Sequence, residues 1–187
     1  LSVSDMREAE MNWRLWPYVE QNGAWSLKDD TMLLLFEEAK RANLIKKVFL
    51  KGAVAGPVDQ LGLMKRPQNI VHTIWGEDDQ PYLIAWLNDW GPNFAFAHFI
   101  TYPRAWGKYT VELLGKCFEY WFKFKNHDGG FLLDLVVGRT PAHRPEVTHF
   151  LDKLGAHVLG EIPMMGYDVY KQQKVGMIIS YLTREGS

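Results

Sequence analysis

The chain has 187 residues, of which 47% are hydrophobic and 14% aromatic, a composition that excludes intrinsic disorder and suits one domain with a substantial core. Its 21 Lys and Arg nearly balance 22 Asp and Glu, so the formal charge is −1 and no basic excess favours a nucleic-acid partner. No apolar run is long enough to cross a bilayer and the N-terminus is charged, so we expect a cytoplasmic protein with no membrane partner.

The first third of the sequence is predicted to be mainly helical. Ser4–Glu20 mixes charged side chains with Met and Trp in an amphipathic pattern, and Asp30–Ala42 repeats apolar residues at helical spacing. Ser26 and Asp29 have the form of an N-terminal capping box ahead of the second of these helices. Gly and Pro interrupt Val48–Arg66, for which we predict a loop with one helical turn.

Three consecutive strands with short turns are predicted next. Their residues are β-branched or aromatic, and turn-forming residues separate them. The predicted strands are Asn69–Trp75, Tyr82–Trp90 and Phe94–Thr101. Such spacing indicates an antiparallel meander.

The remaining chain alternates helices and strands. We predict helices from Gly107 to Lys125 and from Pro145 to Gly155, and strands at Phe131–Val137, His157–Ile162 and Val175–Leu182. The chain carries no repeat and no linker, so we expect a single domain over residues 1–187. Residues 1–66 would supply the N-terminal helices and loop, and residues 67–187 the sheet and the binding half.

The turn from Tyr102 to Thr110 is the candidate binding site, since it joins a strand to the start of a helix. A helix N-terminus presents unpaired N–H groups and the positive end of the dipole. Arg104, Gly107 and Lys108 add two cations and a residue that lets a pyrophosphate approach the backbone. An ordinary turn without a ligand is the alternative.

This turn resembles the acyl-CoA signature of the Gcn5-related N-acetyltransferase (GNAT) superfamily, Arg/Gln-x-x-Gly-x-Gly/Ala. Arg104 stands at its first position and Gly107 at its fourth, whereas Tyr109 replaces the last Gly or Ala. Residues 150–156, Phe-Leu-Asp-Lys-Leu-Gly-Ala, are similar to the family's Leu-Tyr-x-Lys-x-Gly-Phe element. The likeness covers residues 69–185 and extends to GNAT-like proteins of phage genomes.

The resemblance implies an α/β (α+β) GNAT-like fold, with a mixed, mostly antiparallel central sheet flanked by helices. Two strands would splay apart after Thr101, where a bulge stops their pairing, and leave a groove for acetyl-CoA as co-substrate. Pantetheine would follow the strand, and the pyrophosphate would face the helix start. The cofactor-binding residues that the resemblance implies are Phe99, Ile100, Thr101, Arg104, Gly107, Lys108, Tyr109 and Thr110.

Candidate catalytic groups follow from the same resemblance. His98 is the first candidate for a base, because it lies on the strand that would line the groove and its pKa range suits proton transfer. A hydrogen-bonded core histidine is the alternative. Leu151 occupies the position of the family's frequent catalytic Tyr, which removes a proton donor. Tyr102 and Tyr109 are the candidates to replace that donor.

Other polar groups are expected to be structural. Asp134 interrupts an apolar run, so its charge must find a partner or face the cleft. Residues 77–79 form an acidic turn that is either solvated or lines a substrate mouth. His143 and His149 lack a metal-binding spacing, and we predict no metal. Cys117 lies among apolar residues and is expected to be buried.

Three functions are compatible with these features. The first is an N-acetyltransferase that moves an acetyl group from acetyl-CoA to a small-molecule or protein amine. The second is a non-catalytic, phage-related GNAT-fold assembly or interaction protein, in which surplus aromatic residues pack in a homodimer. The third is a small-molecule binding domain with an aromatic cleft made by Trp75, Trp86, Trp90 and Trp106.

Overall fold

A computed structural model describes residues 13–184 of the chain. The strands of this part are β1 (Trp13–Tyr18), β2 (Glu20–Gln21), β3 (Ala24–Trp25), β4 (Ile70–Gly76), β5 (Pro81–Asn88), β6 (Phe94–Thr101), β7 (Leu135–Pro141), β8 (His157–Asp168) and β9 (Gln173–Thr183). The helices are α1 (Asp29–Arg41), α2 (Ile45–Val48), α3 (Pro57–Met64), α4 (Lys108–Trp121) and α5 (Pro145–Lys153), and a 3-10 turn covers Pro103–Ala105.

Within these residues, seven strands form one mixed sheet in the order β1-β4-β5-β6-β7-β9-β8. All neighbours pair antiparallel except β6 and β7, which are parallel. The predicted meander is confirmed as β4–β5–β6. The predicted α/β class, with a mostly antiparallel sheet between helices, is also confirmed. Strands β2 and β3 form a separate small hairpin.

Helices cover both faces of the sheet. Side chains alternate along β5: Ile84 and Trp86 pack towards α1, whereas Leu83 and Leu87 pack towards α4. Phe150 of α5 packs on the same side as α4. Because both faces are covered, the central strands are apolar at nearly every position. No helix of residues 13–184 has the length and apolar character needed to cross a bilayer.

The helical prediction for the N-terminus is wrong over residues 13–18, which form β1 at an edge of the sheet. Trp13 lies opposite Gly76 and Tyr18 opposite Val71. Pro17 is tolerated there because an edge strand does not need every N–H for pairing. Residues 4–12 of the predicted helix lie outside the described residues.

The capping-box prediction is also wrong. The N-cap of α1 is Lys28, and no side chain caps the helix. Instead, the Ser26 hydroxyl donates to the Pro17 carbonyl at 2.6 Å and accepts the Val19 N–H at 3.1 Å, so it closes the β2–β3 hairpin. Further along, the predicted loop with one helical turn, Val48–Arg66, contains one helix, α3, which is eight residues long; α2 ends at Val48, where the predicted loop begins.

The strand after α4 begins four residues later than predicted, at Leu135 instead of Phe131. Phe131 makes an isolated β-bridge with Lys125, and the Leu132 N–H donates to the Phe124 carbonyl at 2.9 Å. This part of the apolar run therefore folds back on the segment that follows α4. The strand then continues to Pro141, four residues beyond its predicted end at Val137.

Asp134 finds partners at the start of that strand, as predicted. Its carboxylate accepts hydrogen bonds from Asn93 Nδ2 and from Arg184 Nη2, both at 3.0 Å. These two contacts hold the pKa of Asp134 below its usual value.

The core beneath α4 contains a buried hydrogen bond between two rings. The Trp121 indole N–H donates to His72 Nδ1 at 3.0 Å. Burial lowers the pKa of His72 to about 4, so near neutral pH its uncharged ring can accept this bond. Cys117 is buried in the same core, as predicted, and burial raises the pKa of its thiol to about 12.

Candidate functional site

The parallel strands β6 and β7 separate soon after they meet. Only residues 94–96 of β6 pair with residues 135–137 of β7, although β6 runs on to Thr101 and β7 to Pro141. Beyond this point β6 remains paired with β5, without a register shift, and β7 remains paired with β9. The predicted splay is therefore present. It begins at Ala97 instead of after Thr101, and no bulge in the β5–β6 pairing accompanies it.

A cavity of about 660 Å³ fills this opening. Its walls are residues 97–101 of β6, residues 138–141 of β7, the start of α4 and one side of α5, while Leu44, Lys47 and Val48 approach from the other face. Backbone groups that would join two strands in a continuous sheet therefore border the cavity. Such groups need hydrogen-bond partners, which makes this edge suited to an extended polar ligand.

The start of α4 closes one end of the cavity. Gly107 is the N-cap residue, with φ 86° and ψ −132°, a conformation that strongly favours glycine. The Thr110 hydroxyl donates to the Ala105 carbonyl at 2.6 Å, and the Trp106 indole donates to the Thr101 carbonyl at 3.0 Å. These bonds fix the turn, so the backbone N–H groups at the start of α4 are held beside the cavity.

Most residues predicted to bind the cofactor border the cavity. They are Phe99, Ile100, Thr101, Gly107 and Thr110. Arg104 lies outside it and forms an ion pair with Asp78 of the β4–β5 turn. Tyr109 is also outside the cavity lining. Lys108 is the first residue of α4.

His98 borders the cavity on the face of the sheet that carries α1. Its Nε2 lies 2.9 Å from Asn88 Oδ1, and its ring stacks on Trp86 with a centroid separation of 5.2 Å. Burial, with a smaller contribution from the positive charge of Arg139, lowers the pKa of His98 to about 4. The ring is therefore uncharged near neutral pH, and donation from Nε2 to Asn88 leaves the lone pair on Nδ1.

Tyr102 does not border the cavity. Its side chain is buried against α1, where the hydroxyl donates to the Leu35 carbonyl at 2.9 Å. Burial raises the pKa of this phenol further above its ordinary value. Because its hydroxyl is already hydrogen-bonded within the core, Tyr102 is not positioned to donate a proton in the cavity.

Arg139 is a site residue that the sequence did not indicate. Its guanidinium forms an ion pair with Asp89 at 3.0 Å and stacks over the Phe96 ring, 4.1 Å from the centroid. The predicted strand ends at Val137, so the sequence did not place Arg139 on a strand beside the cavity. Leu151 also borders the cavity.

The acidic β4–β5 turn, residues 77–79, is held by ion pairs and does not border the cavity, which favours the solvated turn over the substrate mouth. Asp78 pairs with Arg104, and Asp79 pairs with Arg14. Among residues 13–184, no group of three or more His, Cys, Asp or Glu side chains is arranged to hold a metal ion.

The predicted aromatic cleft does not form. Trp75 and Trp86 are buried in the core on the α1 side, and the Trp90 indole donates to the Gln68 carbonyl at 2.7 Å. Of the four tryptophans, only Trp106 borders the cavity, with 51% of its surface exposed. The small-molecule binding hypothesis loses its basis.

The order of the elements, the β6–β7 opening and the helix start together define the fold of the GNAT superfamily. The described structure is similar to spermidine N-acetyltransferase from Vibrio cholerae in complex with CoA and spermine, with a TM-score of 0.69 and 11% identity over 91% of this chain and 95% of that chain. It is also similar to ribosomal-protein-S5-alanine acetyltransferase from Vibrio fischeri, with a TM-score of 0.67 and 12% identity over 93% and 94% of the two chains. No family model and no curated protein matches the sequence.

Proposed function

We propose that the protein is an N-acetyltransferase that takes its acetyl group from acetyl-CoA and transfers it to an amine. The observation that carries this proposal is the unpaired edge of β6, which leads directly to the start of α4. One continuous cavity thus joins backbone donors and acceptors to a positive helix end. Both similar enzymes named above are acetyltransferases, and one was solved with CoA.

The cavity suits the shape and charge of CoA. The amide-containing pantetheine arm would lie along residues 97–101, where β6 has no strand partner on its β7 side. The pyrophosphate would accept N–H groups from the first turn of α4, beside Gly107. Arg144, the N-cap residue of α5, and Lys153, its last residue, border the cavity and carry positive charge for the phosphates; Arg144 also pairs with Glu146 at 3.8 Å. A volume of about 660 Å³ lies within the range of ligand cavities.

The proposed reaction is direct transfer. The amine nitrogen attacks the thioester carbonyl, the C–N bond forms, the C–S bond breaks, and CoA leaves as a thiolate that takes up a proton. The attacking nitrogen must lose a proton. His98 is the proposed base because it borders the cavity, and its pKa of about 4 suits it to take this proton after the attack, when the nitrogen is more acidic than a free ammonium.

CoA binding can be tested with two glycine variants that each place a side chain at a positive φ. Gly107 and Gly129 both have φ near +80°, and neither has an atom within 4 Å of an added Cβ. Gly107→Val and Gly129→Val should therefore both lower the melting temperature through backbone strain. Only Gly107→Val should weaken CoA binding, tenfold or more, because only Gly107 borders the cavity.

The measurement is the rise in melting temperature with CoA concentration, since a ligand of the native state must stabilise it. Wild-type protein and Gly129→Val should show a similar rise, and Gly107→Val a much smaller one. A wild-type protein that shows no rise at millimolar CoA contradicts the proposed function.

Replacing the proposed base should separate binding from turnover. In His98→Gln, the amide can still bond to Asn88 but cannot take a proton, so we expect unchanged CoA stabilisation and a ten- to hundredfold fall in kcat. His149→Gln is the matched control, because His149 borders the same cavity from α5. Equal kcat values for His98→Gln and wild type, measured as thiol release, would exclude His98 as the base.

A second function is favoured by one observation. Leu151 borders the cavity at the position of the family's proton-donating Tyr, so the cavity is compatible with a GNAT-fold interaction protein that has lost turnover. Acetylation of any common amine by the wild-type protein would end this alternative.

A further inference from the structure

A short helix separates the main cavity from a second one. Leu44, Lys47 and Val48 border the main cavity, whereas Ile45 and Lys46, on the other side of α2, border a cavity of about 300 Å³. The second cavity lies between α2, the end of α1, residues 54–55 and the β8–β9 turn. A ligand that crosses α2 would therefore touch both.

The second cavity combines an apolar floor with positive charge at its rim. Phe36, Ile45, Val54 and Ala55 supply apolar surface, and Lys40, Lys46, Asn43 and Tyr170 supply the polar groups. The Lys46 Nζ lies 5.6 Å from the centroid of the Tyr170 ring. Within residues 13–184, neither Lys40 nor Lys46 pairs with a carboxylate.

The nearest carboxylate of the β8–β9 turn does not neutralise this charge. Asp168 is buried, and its Oδ1 accepts the N–H groups of Tyr170 and Lys171 at 3.0 and 3.1 Å. The Val169 N–H donates to the Leu50 carbonyl at 2.9 Å, which holds the turn against the segment after α2. The second cavity therefore has a fixed wall.

The sequence across α2 is strongly cationic. Between Ala39 and Val58 it contains no Asp or Glu, and its cations are Lys40, Arg41, Lys46, Lys47 and Lys51. Each of these side chains is exposed, and Arg41 pairs with Glu38 at 2.6 Å. Such a surface repels cationic acceptors and attracts anionic ones over about a Debye length.

From these observations we propose that the acceptor amine belongs to an acidic polypeptide segment that crosses α2, with the amine in the main cavity and an acidic side chain in the second. This inference rests on the proposed acetyl transfer. The surface would repel a polyamine such as the spermine bound by the Vibrio cholerae enzyme. Nearby lysines would also lower the pKa of the acceptor ammonium, so more of it is present as free amine.

The spacing of the two cavities sets the position of the acidic residue. A helix with its side chains is about 10 to 12 Å wide, and an extended peptide advances about 3.3 Å per residue. The acidic residue should therefore lie about three to four positions after the reacting amine. The apolar floor suits the aliphatic part of a Glu side chain better than a bare phosphate, and a single amino acid is too short to reach both cavities.

The test uses fluorescently labelled peptides with a free N-terminal amine and one variable residue, Glu or Lys, at position four. Fluorescence anisotropy measures their binding to the CoA-saturated protein, and thiol release measures acetylation. We expect the Glu peptide to bind at least tenfold more tightly than the Lys peptide. Lys46→Glu should remove or invert this preference, whereas Lys123→Glu, which changes an exposed lysine after α4, should leave it intact.

Each outcome bears on the inference separately from CoA binding. If CoA raises the melting temperature but the Glu peptide binds no better than the Lys peptide or spermine, the acceptor inference is wrong and the proposed transfer still holds. Free glutamate binding as tightly as the peptide, or single-stranded RNA displacing the peptide at lower concentration than unlabelled peptide does, would also overturn it. If CoA fails to bind, the proposed function fails first.

Discussion

Trp121→Ala is expected to lower the free energy of unfolding by about 3 to 5 kcal/mol, the range for truncating a buried aromatic residue. Trp121 is the last residue of α4 and is 0% exposed. Its ring packs edge-on against Phe118, with 5.6 Å between the ring centroids, and its indole N–H donates a hydrogen bond to His72 Nδ1. Truncation would open a cavity and also leave His72 Nδ1 buried without its donor, a further cost. Denaturant unfolding, as the change in midpoint at constant slope, measures the loss.

Two controls separate the contributions. Trp121→Phe keeps most of the ring volume but removes the indole N–H, so it should cost about 1 to 3 kcal/mol, the range for an unsatisfied buried polar group. Trp16→Ala removes a tryptophan that is 43% exposed on the edge strand β1 and should cost clearly less than Trp121→Ala. Equal losses of unfolding free energy in Trp16→Ala and Trp121→Ala would show that the buried Trp121 ring stabilises the fold no more than an exposed one does.

Local sequence predicted the parts of the fold that local chemistry controls. The meander β4–β5–β6 was readable because β-branched and apolar runs alternate with short polar turns. The helix start at Gly107 was readable because a left-handed N-cap favours one residue type. Helix α1 followed from its spacing of apolar residues.

The misplaced elements are those that depend on distant partners. β1 contains Pro17 and the charged residue Arg14, and it is a strand because it adds to the edge of β4, more than fifty residues away. β7 continues through Gly138 and Thr140 because β9 pairs with it along its whole length. Strand preference reflects such pairing more than intrinsic propensity, so the sequence alone could not place Arg139 beside the cavity.

The same distinction explains how the fold persists at 11% to 12% identity with the similar acetyltransferases. The opening between β6 and β7 arises from topology, and its polar groups belong to the backbone, so few side chains are required there. Gly107 is the residue whose type the geometry demands.

Leu151→Tyr is expected to raise kcat for acetyl transfer about a hundredfold, if the proposed function holds. CoA departs as a thiolate that must take up a proton, and Leu151, which borders the cavity and is 7% exposed, has no proton to give. A phenol at this position would be a general acid, and such groups contribute about 10²- to 10⁴-fold. We expect the lower end, because a thiolate leaves more readily than an alkoxide and depends less on a general acid.

Leu151→Phe is the matched control, because it adds the same ring to α5 without the hydroxyl. Thiol release at saturating acetyl-CoA and peptide should rise for the Tyr variant and not for the Phe variant. The gain should also disappear once the pH exceeds the pKa of the new phenol, which is about 10 in water and higher at a buried position, because the ionised phenol can no longer donate a proton. Equal kcat values for the two variants would mean that ring packing accounts for any change. Bulk water would then already protonate the departing thiolate fast enough, and Leu151 would be no obstacle to turnover.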